Sequence, residues 1–292
     1  MRMKLDLVDV FADGALTGNP LAVVHGAEAL DAAAMLSLTR WLGFSETTFL
    51  LSPVDPGADY RVRIFYPAGE LPFAGHPTLG TAAAWLAAGG QPKRGPDGGV
   101  WGIVVQECPA GLIDVRVAGD TLAFRAPPLR RSGPLDAADR AEAIRVAGVN
   151  EADVIAAVHA DNGPGWRLLH LATAEAVLAA RPVPTAPVPT DVGVVGPWQG
   201  SADARDREWE LRAFFADANG RLTEDPVTGS LNASVGQYLL STGQVAAPGY
   251  IAGQGRCIGA DGRIAVTIDD DTVWIGGKVH MVAQGAALRP PT

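Results

Sequence analysis

The chain is poor in cysteine and in lysine. Only Cys108 and Cys257 stand in 292 residues, too few and too unpatterned for a secreted disulfide scaffold. Lysine occurs at positions 4, 93 and 278, and every other basic residue is arginine. Acidic residues outnumber basic ones to give a formal net charge of −9. That balance excludes the basic footprint needed for nucleic acid or an anionic membrane surface, although a local site can still hold a small anion. No uncharged apolar run reaches the ~18 residues of a membrane span. The segment Met1–Leu7 carries Asp6 within it and does not read as a signal peptide, so the expected location is the cytoplasm. Nucleotide-binding and hydrolase motifs are missing too. There is no P-loop, no Gly-x-Gly-x-x-Gly and no Gly-x-Ser-x-Gly; Gly253, Gly255 and Gly259 have the wrong spacing and read as a loop. The histidines at 25, 76, 159, 170 and 280 form no metal-ligand pattern. Neither a metal nor a cofactor is expected.

What is present is ample material for a core. Hydrophobic residues make up 48% and charged residues 19%, and the length suits two domains of ordinary size. Alternation and β-branching predict strands at 5–11, 21–24, 47–51, 60–66, 101–107, 111–117 and 121–125. A helix capped by Asp31 runs to Leu42 and stops at Gly43. A second helix is expected from Pro77 to about Ala88, proline taking its first position. The segment 91–99 reads as a Pro/Gly loop, and Pro127-Pro128 as the end of the first domain. Beyond it come a helix at 137–147, strands at 154–159 and 166–171, a short helix at 174–180, and an extended connector at 181–190. Strands at 192–195 and 209–215 and a helix from Ser230 to about Leu240 follow. Three tail strands are expected at 263–268, 272–275 and 279–283. The boundaries are then 1–127 and 128–278, with 279–292 able to return to the first domain.

Two segments repeat. Glu70-Leu71-Pro72-Phe73-Ala74-Gly75-His76 and Glu224-Asp225-Pro226-Val227-Thr228-Gly229-Ser230 share the pattern Glu-x-Pro-x-x-Gly-polar. Similar strands precede them, Val62-Arg63-Ile64-Phe65-Tyr66 and Leu211-Arg212-Ala213-Phe214-Phe215, and a helix rich in small residues follows each. The inference is a duplicated α+β unit with one central helix per half. A glycine at a helix start exposes backbone N–H groups at the positive end of the helix dipole, where a carboxylate binds readily. His76 and Ser230 hold matching positions: His76 can shuttle a proton, Ser230 can donate a hydrogen bond, and both also read as plain N-caps. Asp225 can cap its helix or relay a proton. Glu46, flanked by Phe44 and Phe49, is an acid whose partial desolvation would tune it for general acid/base work; the plainer reading is an exposed glutamate at a strand edge. Cys108 and Cys257 do not match in the repeat and read as structural.

Five ordered segments together resemble the PhzF-like family of phenazine-biosynthesis isomerases: Val8–Phe11, Thr17–Val24, Ser45–Phe49, Phe73–Gly80 and Glu224–Ser230. The resemblance spans essentially the whole chain. It implies an α+β fold of two pseudo-symmetric diaminopimelate-epimerase-like domains, each a curled, mostly antiparallel sheet around a central helix, and often a homodimer. It implies a metal-free, cofactor-free isomerase acting on a small carboxylated substrate in a cleft between those domains. The family's proton-moving glutamate falls on Glu46, its histidine on His76, its aspartate on Asp225 and its serine on Ser230. Gly75, Gly229, Thr228 and Asn19 complete the expected substrate-binding set. The paired thiols of related epimerases would fall near Ala74 and Thr228, so a two-thiol mechanism does not carry over. Asp161–Trp166 also looks like a family segment lining the cleft. Two alternatives stay open on the same scaffold: an epimerase or racemase of an amino or hydroxy acid, and a silent small-molecule-binding protein.

Overall fold

The computed structural model describes residues 3–94, 102–199 and 207–289. It divides into two compact units, Met1–Arg125 with Gly276–Thr292, and Ala126–Ile275. The first unit contains β1 (Lys4–Val10), β2 (Asn19–His25), α1 (Ala32–Leu42), β3 (Thr47–Leu51), β4 (Tyr60–Tyr66), β5 (Gly69–Leu71), α2 (Gly75–Ala87), β6 (Gly102–Cys108), β7 (Gly111–Ala118) and β8 (Thr121–Arg125). The second contains β9 (Arg131–Pro134), α3 (Ala137–Ala147), β10 (Val154–Asp161), β11 (Arg167–Leu171), α4 (Ala174–Ala179), β12 (Asp191–Pro197), β13 (Trp209–Ala216), β14 (Leu222–Asp225), α5 (Gly229–Ser241), β15 (Gly249–Gln254) and β16 (Gly262–Asp269). The last strand, β17 (Thr272–Ala287), starts in the second unit and from Gly276 onward belongs to the first.

Most neighbouring strands run antiparallel, as tight turns require. Among the described residues, β2–β3, β4–β6, β11–β12 and β13–β15 run parallel. Each of these four pairs encloses a helix in its connection, respectively α1, α2, α4 and α5, because a parallel neighbour can be reached only by a crossover. In the first unit the pairings run β17–β1–β2–β3–β4–β6–β7–β8 and return to β17, so the strands close into a ring. Helix α2 touches β1, β2, β3, β6, β7 and β8 and therefore lies inside that ring.

A helix enclosed in this way has no polar face to turn to water. Apart from His76, its buried residues are accordingly small or apolar, with Thr78 and Thr81 hydrogen-bonded to Gln106 and Thr48. Gly80 sits where a Cβ would lie 2.5 Å from Leu21 Cδ2 and 2.9 Å from Val10 Cγ2. Helix α1 packs outside, ended as expected by Asp31, which accepts from Ala34 N at 2.9 Å, and by Gly43 at φ 77°. Its Met35 and Leu38 join Phe49 and Phe65 in a separate core cluster.

In the second unit α5 packs against β10 and β16, and a Cβ on Gly236 would lie 2.9 Å from Val273 Cγ1. Helices α3 and α4 cover another cluster with Leu169, Val192, Val194 and Phe214 at its centre. Among the described residues no helix is long and apolar enough to cross a membrane.

Several boundaries differ from the expectation. Helix α2 begins at Gly75 rather than Pro77, and α5 at Gly229 rather than Ser230. Proline is tolerated as the third residue of α2 because the first-turn N–H groups have no intrahelical partner. The strands expected at 272–275 and 279–283 form one sixteen-residue strand through Gly276 and Gly277. The short strands β5, β9, β14 and β15 were not expected. Residues 95–99 of the expected loop and Trp101 lie outside the described residues.

The glutamate of each repeat serves the fold. Glu70 takes both Nε and Nη2 of Arg63, at 2.7 and 2.6 Å, tying β5 to β4. Glu224 does the same with Arg212, at 3.0 and 2.7 Å, tying β14 to β13. Each arginine also lies over a phenylalanine two residues on, Phe65 or Phe214. The two pairs differ in burial: side-chain exposure is 28% and 30% in the first unit but 5% and 8% in the second. Removing Glu224 strands a buried guanidinium, whereas removing Glu70 leaves one that water still reaches. Glu224→Ala is expected to cost about 3–5 kcal/mol in urea unfolding and Glu70→Ala about 1 kcal/mol or less. Equal losses would contradict this reading of the two pairs.

Candidate active site

The first-unit residues come together from three loops. β2 opens at Asn19, opposite Val10 of β1. The loop before it is held by buried Asp9, whose carboxylate accepts Thr17 N and Gly18 N, both at 3.0 Å. Burial raises the Asp9 carboxyl above its usual range, and the N–H bonds oppose that shift. Gly18 must be glycine, because a Cβ there would lie 2.1 Å from Val10 O. Asn19 is fully buried, and its Oδ1 accepts Ser45 Oγ at 3.3 Å. Glu46 follows Ser45 directly and leads into β3.

Glu46 faces α2. Its Oε2 lies 3.6 Å from Nε2 of His76, and the two side chains are 19% and 5% exposed. Phe49 plays a different part from the one expected. Phe49 points to the opposite side of β3, where its ring meets Phe65 edge-on in the α1 core. Glu46 is sheltered by the start of α2 instead. Burial drives the His76 imidazole down to about 3, so near neutral pH it is uncharged and its contact with Glu46 is not an ion pair. His76 does not cap α2. The N-cap is Ala74, which has no capping side chain, and His76 is the second helical residue.

The second-unit residues are built on the matching motif. Here too the N-cap, Thr228, makes no side-chain cap, and Ser230 is the second helical residue. Thr228 Oγ1 instead donates to Asp225 Oδ2 at 2.5 Å. One buried side chain organises this turn. Gln254, at the end of β15, donates from Nε2 to Asp225 O and Thr228 Oγ1, both at 3.0 Å. Its Oε1 accepts Thr228 N at 3.1 Å and Asn232 Nδ2 at 2.9 Å. A carbonyl can only accept and a backbone N–H can only donate, so the amide has one possible orientation. Gly255 follows at φ 96°, where a Cβ would lie 2.5 Å from Pro226 O. The segment Asp161–Trp166 reaches Ser230 from the same unit: Trp166 Nε1 donates to Ser230 Oγ at 3.1 Å and Asn162 Nδ2 to Ser230 O at 2.8 Å.

In sum, the first unit gathers Asn19, Glu46, Gly75 and His76, and the second gathers Asp225, Thr228, Gly229 and Ser230. Sequence reasoning missed Asp9 and Gln254. Asp9 lies in one of the matched segments but carried no assigned role. Gln254 gave no signal beyond its two flanking glycines. Among the described residues no group of three His, Cys, Asp or Glu side chains could hold a metal ion.

The family model for phenazine biosynthesis-like proteins matches residues 8–285. An uncharacterized isomerase of Pasteurella multocida is 28% identical over 288 residues, 97% of this chain and 93% of that protein. The trans-2,3-dihydro-3-hydroxyanthranilate isomerase of Pseudomonas chlororaphis is 50% identical over 78 residues, 27% of this chain and 28% of that one. Among solved structures, a predicted epimerase from Pseudomonas aeruginosa superposes with a TM-score of 0.77 at 30% identity, covering 99% of this chain and 100% of that chain.

The depressed imidazole makes a direct prediction. A histidine buried neutral lowers stability as pH falls from its unfolded value near ~6.5 toward the folded one, because only the unfolded chain then takes up the proton. The ring-proton NMR resonance of His76 is expected to stay flat between pH 5 and 8. An inflection near pH 6.5 would show that the imidazole charges in that range.

Proposed function

The chain belongs to the phenazine biosynthesis-like protein family and is an isomerase, and on that premise we propose that it shifts a proton on a small carboxylated substrate with Glu46 as the single acid/base. The observation that carries the reading is the Glu46 carboxylate set 3.6 Å from a buried, uncharged His76 at the uncapped start of α2. An imidazolium in that place would hold the carboxylate in an ion pair and weaken it as a base. A neutral ring does not lower the basicity of the Glu46 carboxylate in that way, so Glu46 takes a proton from one carbon and returns it to another, with no net change in protonation.

The remaining roles are proposals of the same reading. His76 polarises the substrate or holds a proton, and the N–H groups of Gly75 and Gly229 donate hydrogen bonds to its carboxylate. Asn19 and Thr228 are binding residues, and Asp225 and Ser230 are hydrogen-bonding partners. The positions where paired thiols would act hold the N-caps Ala74 and Thr228, which favours one carboxylic acid/base over two thiols. Trans-2,3-dihydro-3-hydroxyanthranilate, the compound named for several relatives, is the first substrate to try.

The test is proton NMR in D2O with that compound and a panel of small amino and cyclic carboxylic acids. Double-bond migration or deuterium uptake is expected with wild-type protein. Glu46→Gln should lower its rate by at least ~10²-fold while leaving binding, the loss typical of a removed general acid/base. Retained turnover in Glu46→Gln would sink the assignment. Inversion at one carbon without migration would make the enzyme an epimerase.

A further inference from the structure

We propose that Trp166 is a positioning residue for Ser230: its indole N–H occupies the acceptor side of Ser230 Oγ and so commits the Ser230 proton to an acceptor at the start of α5. The inference rests on the proposed role of Ser230 as a hydrogen-bond partner of the substrate, and it adds a residue that the reading had not assigned.

The argument is one of hydrogen-bond polarity. A serine hydroxyl can donate once and accept twice, and left alone it rotates to suit whatever is near. An indole N–H can only donate. With Trp166 Nε1 3.1 Å from Ser230 Oγ, the serine is the acceptor in that bond, and its own hydrogen is held away from the ring. Among the described residues this is the one hydrogen bond given to Ser230 Oγ. The serine carbonyl is held as well, by Asn162 Nδ2 at 2.8 Å, and that amide nitrogen is likewise a donor meeting an acceptor. Ser230 is therefore gripped at both of its oxygens by donors from one loop.

That loop is built to hold still. Asp161 Oδ1 accepts Gly163 N at 2.7 Å and Gly165 N at 2.8 Å. The two glycines take φ 152° and 95°, values that suit glycine. The Trp166 carbonyl accepts Ala160 N at 2.9 Å, and the Trp166 side chain is almost wholly buried. A buried indole N–H needs an acceptor, and the one that this ring takes is the Ser230 hydroxyl; a phenylalanine would fill most of the same space and make no such bond.

The test has two arms. In 15N-labelled protein the Trp166 indole cross-peak is assigned by its loss in Trp166→Phe. It is expected to move toward the free-indole position in Ser230→Ala and to stay in place in Ser230→Thr, which restores the hydroxyl. A peak unmoved by Ser230→Ala overturns the proposal. In the second arm, Trp166→Phe and Ser230→Ala are each expected to lower kcat for solvent-deuterium exchange by at least ~10-fold, the scale of one lost donor in a site. With both proteins folded by circular dichroism, the double variant should be no slower than the slower single one. Losses that multiply in the double variant mean that Trp166 acts on something other than Ser230 and overturn the proposal. The spectroscopic arm needs no substrate. A protein inactive on every compound tried therefore defeats the proposed reaction, and the Ser230→Ala peak still decides this inference.

Discussion

A buried helix must end somewhere, and its first turn carries N–H groups with no partner inside the helix. That constraint shapes both halves of this protein. α2 and α5 are each thirteen residues long and buried along most of their length. Neither is capped by a side chain, although Asp31, Asp136 and Thr173 cap the more exposed α1, α3 and α4 in the ordinary way. Capping is thus available to this chain and is withheld at the two helices whose starts carry the candidate residues. Uncapped donors at the positive end of a helix favour an anion, which agrees with a carboxylated substrate.

The same enclosure explains the choice of residues around the site. A buried helix that packs closely against strands leaves no room for large side chains there, hence Gly80 against Leu21 and Gly236 against Val273. Water is largely excluded, so polar groups on these helices need partners from the strands. Gln106 and Gln254 answer that need in their respective units, one meeting Thr78 and the other Thr228 and Asn232. Exclusion of water also sets the state of His76, for which burial is the cause of the depressed imidazole. The fold and the protonation state of the site share one origin.

Much of this was legible in sequence, and the reasons are specific. α1 was read correctly because Asp31 and Gly43 are local signals that act within a few residues. β3 and β4 follow from β-branched and aromatic runs. The starts of α2 and α5 were misread because the rule used, a capping side chain or a first-position proline, describes exposed helices, and these two break it. β5, β9 and β14 span three or four residues and exist through pairing with a neighbour, which no local pattern reveals. The repeat was visible, but the work of its glutamate was not. Glu70 and Glu224 pair with arginines seven and twelve residues back, a contact set by hairpin geometry. Gln254 is the clearest case of illegibility, since a buried amide that makes four hydrogen bonds looks in sequence like any loop glutamine.

The two units use one local device and then part company at the candidate residues. Both have an arginine over a phenylalanine, a glutamate to hold it, and a glycine opening a buried helix. In the first unit the next residue is an imidazole kept neutral beside a carboxylate, a pair suited to moving a proton. In the second it is a hydroxyl that accepts from the Trp166 indole, and in the same turn Asp225 accepts from Thr228. That arrangement resists rearrangement and suits holding rather than transferring. The shared scaffold accounts for the fold, and the units differ in what stands at the start of the buried helix: Glu46 with His76 in the first, and Ser230 held by Trp166 in the second, a difference that agrees with the proposed division between moving a proton and holding a partner.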